Sequence, residues 1–451
     1  MKTTDIVLDN ALLFDRRDDG SWTATPGALA IADGRIAARA ECGTLTGAGT
    51  LDLHGALAMP GLINGHTHSA EILMAGGAGP ATLYAWHASV WPLLDRLPDA
   101  LIHAAVLAQC AELLHAGCTG VVDHFRQTPF SVAAAKAGLS AYAETGMRAA
   151  VSLVVRDAAN PDGSLVGAPH VRKPAEYPLD AALRVIDDWP DHALARPGLG
   201  PSAPERCSDA MLRRIAALAE ERNLAIHLHV DETRHSFEAG RGRAASPTAR
   251  LADLGLLSPR TSFAHCVWTT DDDLRLIREA GTTVVHNPVC NMILGSGRAP
   301  VPRMLELGVP VALGCDGAAS NDGQDIWETA KVAAILHRGP DIPEARWPTP
   351  ARILDMLCAT GWRLLDLHHP PPAGPILAPG RPADIAVFDA AAVVPVARRD
   401  AATQLVLRSG PRAARHVLVA GRFVVRDGVI ATFDETEARR ACLDGAARLG
   451  A

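Results

Sequence analysis

Residues 60–365 alternate short apolar runs with segments of helical periodicity. Helical patterns such as 100–116 and 208–222 separate the runs, and the second begins at a Ser-Asp N-cap signal. Strands that alternate with helices form parallel sheets, and eight such units in about 300 residues fit a TIM barrel. We therefore expect an α/β fold, a (β/α)8 TIM barrel. The eight apolar runs are 58–65, 118–123, 148–155, 197–201, 223–229, 261–266, 282–287 and 310–315.

The two ends of the chain have a different pattern. Residues 1–59 and 366–432 contain short strand-like runs, with hairpin signals at "ADGR" and "AGRF". We expect these two segments to pair into one small β-sandwich domain beside a catalytic barrel domain of residues 60–365. A chain of 451 residues is long enough for both. Residues 433–451 predict a C-terminal amphipathic helix that packs either on the barrel or on a partner.

Composition argues against several classes of partner. The 43 basic and 50 acidic residues are mixed along the chain, with a net charge of −7, so we expect neither nucleic acid nor an anionic membrane as partner. The sequence contains no signal-peptide pattern at MKTTDIVLDN and no apolar stretch of about 20 residues. The nine cysteines are scattered without CxxC pairs, which favours a reducing, cytoplasmic location.

Unusual polar residues follow the apolar runs. In a TIM barrel these positions line the mouth where active sites form. The Pro/Gly-rich segment 156–176 is too long for an ordinary connection and is expected to be a functional loop over that mouth. The candidate residues are His66 and His68 after the first run, His229 and Glu232 at the fifth, His265 at the sixth and Asp316 after the eighth.

These residue types together predict a metal site. Residues i and i+2 of a strand share a face, so His66 and His68 can bind one ion. Imidazole suits zinc and similar divalent metals, and adding His229 and Asp316 leaves room for a water. Such an ion lowers the pKa of the water to roughly 7. Glu232 and His265 would then be free for proton transfer and water orientation.

Each residue alone has a simpler interpretation. An isolated HxH pair is weak evidence for metal binding, and His229 in an apolar strand could be a satisfied core residue. Asp316 before a glycine could be a turn aspartate. His227 shares the inward face with His229 and is interpreted as either barrel filling or support for a ligand. The joint position of the candidates at the ends of different strands favours the metal site.

Several sequence motifs resemble one protein family. They are MPGLINGHTHSAEILMAGG, YAWHASVWPL, GCTGVVDH, IHLHVDET, FAHCV, HNPVCNMILGSGRAPVPRMLELGVPVALGCDGAASND, GRPADIAVFD and HVLVAGRFVVRDG, and they cover nearly the whole chain. The chain resembles the amidohydrolase superfamily. Within it, the similarity is to the aminohydrolase branch that includes S-adenosylhomocysteine/methylthioadenosine deaminases, guanine and 8-oxoguanine deaminases, and triazine hydrolases.

The resemblance implies one divalent metal ion per chain, usually zinc and sometimes iron. It assigns His66, His68, His229 and Asp316 as ligands. It also implies that water activated by the metal attacks an amidine carbon, with Glu232, His265 and Asp316 as the catalytic groups and ammonia as a product. The fourth run ends in GPSAP, without the lysine that bridges two metals in binuclear relatives.

One departure concerns the substrate. Where nucleoside-acting relatives usually carry a histidine after the fourth run, this chain has Ser202, which makes a contact to an adenine-type base doubtful and brings the motif nearer to the triazine and 8-oxoguanine enzymes. The positions expected to face the substrate are Trp86, Trp91, Arg156, Ser202 and Asn291.

The sequence leaves three functions to compare. The first is a metal-dependent deaminase of an amino-substituted N-heterocycle such as a purine, pterin or triazine. The second is a hydrolase that removes another group, such as a halide, an alkylamine or a ring amide. The third, an inactive binding protein on the same barrel, predicts broken ligands. The expected partners are a small heterocyclic substrate and further copies of the chain, as a dimer or tetramer.

Overall fold

The computed structural model describes residues 5–77, 79, 81–125, 130–159, 178–365, 376–389, 401–408 and 413–449. Its strands are β1 (Ile6–Arg16), β2 (Trp22–Ala32), β3 (Arg35–Ala40), β4 (Thr50–Asp52), β5 (Leu57–Pro60), β6 (Leu62–Thr67), β7 (Cys118–Phe125), β8 (Arg148–Val155), β9 (Ala195–Pro201), β10 (Ile226–Val230), β11 (Thr261–His265), β12 (Thr283–His286), β13 (Val311–Leu313), β14 (Ile385–Phe388), β15 (His416–Val419), β16 (Arg422–Arg426) and β17 (Val429–Ile430).

Helices separate the central strands. They are α1 (Leu83–Leu94), α2 (Asp99–His115), α3 (Val132–Thr145), α4 (Pro178–Asp188), α5 (Asp209–Glu221), α6 (Arg234–Arg241), α7 (Pro247–Asp253), α8 (Asp271–Ala280), α9 (Pro288–Ile293), α10 (Val301–Leu307), α11 (Ala318–Asn321), α12 (Ile326–Ile335), α13 (Pro350–Leu357), α14 (Ala359–Leu365), α15 (Ala401–Leu407) and α16 (Glu435–Leu449). The predicted cap before α5 is present, since the Ser208 side chain accepts from the Met211 N–H. Among the described residues, no helix is both long and apolar enough to cross a membrane.

Strands β6 to β13 form an eight-stranded parallel sheet in sequence order. The sheet curls into a barrel, because the Asp316 N–H beyond β13 donates to the His66 carbonyl of β6 at 2.9 Å. The two ends approach so closely that a Cβ on Gly65 would lie 2.8 Å from the Leu313 carbonyl oxygen. The predicted TIM barrel is confirmed.

Strands from both ends of the chain share a second, nine-stranded sheet. Strand β5 joins them, since it pairs in parallel with β1 and antiparallel with β14. The expected pairing of the two ends is therefore present, as one continuous sheet. Part of the predicted small domain, including 366–375 and 390–400, lies outside the described residues, as does 160–176 of the predicted mouth loop.

Helix α16 packs along α2 on the outside of the barrel. His115 Nε2 of α2 lies 2.8 Å from Glu435 Oε2, and Gly445 packs so closely on Leu101 that an added Cβ would meet its Cδ1 at 2.5 Å. The sequence left open whether this helix packs on the barrel or on a partner. In the structure it packs on the barrel.

Candidate active site

The carboxyl ends of the barrel strands bring the predicted ligands together. Asp316 Oδ1 lies 3.4 Å from His66 Nε2 and 3.5 Å from His68 Nε2, while its Oδ2 lies 3.6 Å from His265 Nε2. His229 Nε2 lies 3.2 Å from His68 Nε2. Side chains from β6, β10, β11 and the loop after β13 therefore converge on one point, as their positions at strand ends predict.

Backbone carbonyls hold two of these rings in a defined tautomer. His68 Nδ1 lies 2.7 Å from the His124 carbonyl oxygen, and His229 Nδ1 lies 2.7 Å from that of Ser202. A carbonyl oxygen only accepts hydrogen bonds, so each Nδ1 carries the hydrogen and each Nε2 presents a lone pair. Two lone pairs that face each other at 3.2 Å repel unless a cation lies between them.

The same geometry fits one divalent metal ion. Ligand atoms about 2.0–2.1 Å from a tetrahedral zinc lie roughly 3.3 Å apart, close to the separations among the Nε2 and Oδ1 atoms. His66 Nε2 and His265 Nε2 are buried and make no hydrogen bond with any described residue. Imidazole nitrogens with one carboxylate suit zinc and iron alike. His66, His68, His229 and Asp316 would hold the ion, with His265 beside it.

A further histidine, His227, lies behind His66. His227 Nε2 is 2.7 Å from His66 Nδ1, and His227 Nδ1 is 2.7 Å from Ser262 Oγ. Burial lowers the pKa of His227 well below its ordinary value, so the ring is neutral near pH 7. Of the two interpretations from the sequence, barrel filling or support for a ligand, the contact with His66 favours support.

The two carboxylates of the site have opposite electrostatic environments. Burial raises the pKa of Glu232. Burial acts in the same direction on Asp316, but the adjacent His66, His265 and His68 outweigh it and hold the pKa of Asp316 well below its ordinary value. Carboxyl groups whose pKa values are driven apart in this way commonly divide acid and base roles in enzymes.

Unusual backbone conformations aim two of these side chains. His265 has φ 74° and Asp316 has φ 67°, in the left-handed region that residues other than glycine rarely adopt. The Asp316 carboxylate also accepts a hydrogen bond from the Gly317 N–H at 2.8 Å. Such strain persists only where the surrounding structure enforces it, and it concentrates at functional sites.

A cavity opens above this cluster. Three of the expected substrate-facing residues, Trp86, Trp91 and Ser202, line it. The structure places the other two differently. Arg156 stacks on Trp91, with Cζ 4.3 Å from the ring centroid. Asn291 lies behind the ring of His265, with Oδ1 2.9 Å from Nδ1, because the short helix α9 carries it beneath that ring. Neither is among the described residues that line the cavity.

His124, Glu71 and Arg206 are among the cavity residues that were not predicted from the sequence. His124 closes the second apolar run, so the rule applied to the other strand ends could have identified it. Glu71 follows His68 in HTHSAE, and Arg206 follows GPSAP, so each lies beside a recognised motif. Nothing in the local pattern indicates that these two charged side chains are buried.

Comparisons with known proteins agree with this geometry. A model of the amidohydrolase family matches residues 57–424. The chain is 33% identical to a 5-methylthioadenosine/S-adenosylhomocysteine deaminase of Syntrophobacter fumaroxidans, over 96% of this chain and 95% of the relative. It is 31% identical to a 5'-deoxyadenosine deaminase of Methanosarcina mazei, over 99% of both chains.

Solved structures have the same fold. A zinc-bound adenosine deaminase from Xanthomonas campestris has a TM-score of 0.86 at 25% identity, over 100% of this chain and 99% of that one. An atrazine chlorohydrolase from Arthrobacter aurescens has a TM-score of 0.86 at 22% identity, over 98% and 100%. The matched residues, 57–424, include all eight barrel strands and several strands of the terminal sheet. The chain therefore belongs to the amidohydrolase family.

Proposed function

We propose that this chain is a metal-dependent hydrolase that removes an exocyclic amino group from an N-heterocycle and releases ammonia. The observation that carries the proposal is the convergence of four metal-ligand side chains with a buried acid, Glu232, in one cavity. The relatives named as deaminases of adenosine derivatives, similar over nearly the whole chain, support the same reaction.

Four side chains of the site would hold the ion that activates the attacking water. A divalent ion held by His66, His68, His229 and Asp316 would lower the pKa of a water to about 7 and so provide hydroxide at neutral pH. We propose zinc, since the adenosine deaminase of similar structure carries zinc, and iron remains an alternative with the same ligands.

The chain's own groups move the protons. Glu232 holds its proton to higher pH than an exposed glutamate, and it donates this proton to the ring nitrogen beside the attacked carbon. Asp316 stays ionised, accepts a proton from the attacking water and passes it to the departing amine. His265, fixed by Asn291, orients the attacking oxygen. The carbon–nitrogen bond breaks and ammonia leaves, while the proton left on the attacking oxygen returns to Glu232 as the ring carbonyl forms.

A deamination screen tests this proposal. Purified zinc-loaded protein is assayed with purines, pyrimidines, pterins and triazines, and ammonia is measured against substrate consumed. We expect ammonia in equal amount to the substrate converted. Turnover of chlorinated or alkylamino rings without ammonia would instead support removal of another leaving group. A protein that binds less than a small fraction of one metal per chain, even with added zinc, would contradict an enzyme of either kind.

A further inference from the structure

A second cavity lies at the opposite end of the barrel from the metal site. It has a volume of about 500 Å³, and its lining comes from the amino-terminal ends of β8 and β9, the segment before β10, the end of α14 and turns of the terminal sheet. No described residue lines both this cavity and the active-site cavity. Ligand sites commonly have volumes of roughly 300–1,000 Å³ and often form where two structural units meet, so its size and position suit a small molecule.

The charged groups around this cavity are mainly basic. Among the described residues, the lining contains three arginines, Arg35, Arg148 and Arg196, and one acid, Asp33. Arg148 is neutralised by Asp384, to which it donates two hydrogen bonds, whereas Arg35 donates to an uncharged backbone carbonyl. Asp33 can offset one of the two remaining positive charges. The excess of one positive charge favours a ligand with a single negative charge.

Arg196 provides the guanidinium that a ligand can bind. Its side chain is exposed and makes no hydrogen bond or ion pair with any residue that the structure describes. Its backbone is fixed, because β9 pairs with β8 over seven residue pairs, including Ala150 with Arg196. A guanidinium presents a planar fork of N–H donors that matches the two oxygens of a carboxylate. The strand therefore holds a free anion-binding group at the edge of the cavity.

A buried hydroxyl lies at the inner end of the cavity. Ser152 of β8 lines the cavity and is fully buried, and its Oγ has no hydrogen-bond partner in the described part of the chain. Buried polar atoms of native proteins nearly always have a partner, so this hydroxyl is satisfied by what occupies the cavity. Val154, on the same face of the strand, lines the active-site cavity instead. The two cavities thus reach into the barrel from opposite ends.

The remaining lining offers an apolar surface beside the arginines. Trp362 and Leu365 of α14 and Pro197 of β9 belong to it. The Arg148 Cζ lies 5.1 Å from the centroid of the Trp362 ring, which helps to hold the indole in place. A ligand with a carbon skeleton can pack on these side chains while its charged group binds Arg196. An inorganic anion would use only the charged part of the lining.

We propose that this cavity is a second ligand site, which binds a small organic carboxylate. The carboxylate binds the Arg196 guanidinium, the carbon skeleton packs on Trp362 and Leu365, and Ser152 Oγ supplies a hydrogen bond at the inner end. The site contains none of the metal ligands and proton-transfer groups of the proposed reaction. The bound molecule is therefore a ligand and not a substrate.

Three probes separate the parts of this inference. Benzoate carries both the charge and a ring, benzamide has the same shape without the charge, and acetate has the charge without the ring. We expect isothermal titration of the zinc-loaded protein to show one benzoate site, with an affinity about tenfold or more above that for either other probe. No benzoate binding at millimolar concentration, or equal binding of benzamide, would overturn the proposal.

Substitutions locate the bound benzoate. Arg196→Gln should weaken its binding about tenfold or more, Arg196→Lys should retain part of the affinity, and Ser152→Ala should weaken binding about fivefold. The control is Arg440→Gln, an exposed arginine of α16 without an ion pair among the described residues, which should leave the affinity unchanged. Metal content and thermal melts check that each variant is loaded and folded. Equal affinities of the folded Arg196→Gln and Arg440→Gln proteins would place benzoate elsewhere, for example at the metal, and would overturn the proposal.

Discussion

At the scale of single residues, the ligand histidines depend on the atoms behind them. Each ring directs Nε2 toward the proposed metal position and Nδ1 toward a fixed partner. That partner is a backbone carbonyl for His68 and His229, and the imidazole of His227 for His66. These partners set which nitrogen carries the hydrogen, and through it the affinity for the metal. Glu232 and His265 lie next to the proposed ligands without belonging to them. Substitutions of these two residues should therefore lower turnover while the metal stays bound.

Replacing Glu232 tests this separation. Glu232→Gln keeps the size of the side chain and removes the proton that the carboxyl donates, so we expect kcat to fall about 10²–10⁴-fold with one metal per chain retained. Metal content by elemental analysis and steady-state kinetics measure the two effects. Asp316→Asn should lose both metal and turnover. Loss of the metal in Glu232→Gln would show that Glu232 is a ligand.

The support behind His66 gives a second prediction. Ser262→Ala removes the hydrogen bond that orients His227. Because His227 in turn orients His66, we expect the metal affinity to fall about 10–100-fold. Competition with a chromophoric chelator measures it. The control is Ser152→Ala, another buried barrel serine, whose Oγ has no hydrogen-bond partner among the described residues. Equal effects of the two substitutions would argue against a specific role for Ser262.

At the scale of elements, the sequence predicts the barrel strands well and their boundaries poorly. Each of the eight apolar runs overlaps a barrel strand, because parallel strands covered by helices are buried on both faces and form apolar runs in the sequence. The run 58–65, however, spans two strands. Strand β5 ends at Pro60 in one sheet and β6 begins at Leu62 in the other. A local pattern cannot show that the chain changes sheets at Gly61.

The sequence predicts those site residues that lie at the ends of barrel strands, and it misses those that lie on turns and short helices. The ligands lie at the carboxyl ends of strands, so position alone brings them together. Glu71 and Arg206 are buried by turns whose packing depends on distant residues such as Asp123 and Arg250. Asn291 was expected to face the substrate but lies behind His265, since no sequence pattern gives the direction of a six-residue helix.

The loop after β13 provides a prediction at this scale. Gly317→Ala places a methyl group against the Glu71 carboxylate, so the loop or the turn must shift, at a cost of about 1–3 kcal/mol in stability. Thermal melting and kcat/KM measure the effect, and both should decrease. Gly323→Ala, just beyond α11, is the matched control, since an added Cβ there meets nothing within 4 Å. An unaffected Gly317→Ala protein would show that Glu71 does not pack there in solution.

At the scale of the whole molecule, the barrel and the terminal sheet are tied together. Arg148 at the start of β8 donates to both oxygens of Asp384, at 2.7 and 3.0 Å, and the Asp384 carbonyl accepts from the Gly61 N–H at 3.0 Å. The two sheets therefore meet at the segment that leads into the first ligand strand. Assembly into a dimer or tetramer stays a prediction, which light scattering of the purified protein would test.

Metal binding should stabilise the entire fold. An ion bound by the four converging ligands stabilises the native state by RT ln(1 + [M]/Kd). Removal of the metal with a chelator should therefore lower Tm, and added zinc should restore it. An equal Tm with and without the metal would contradict a site of high affinity. The alanine substitutions of His66 and His68 serve as metal-free references in the same experiment.

The pairing of β5 with β14 also bears on how the protein is made. Strand β5 comes early in the chain and is followed at once by β6, which carries His66 and leads into His68. Its antiparallel neighbour, however, is the distant strand Ile385–Phe388. Contacts this distant in sequence form late and slow folding. During synthesis, the support beneath the first two ligands stays incomplete until nearly the whole chain has left the ribosome. A nascent chain shorter than 388 residues therefore lacks the complete strand that pairs with β5, directly before the first ligand strand.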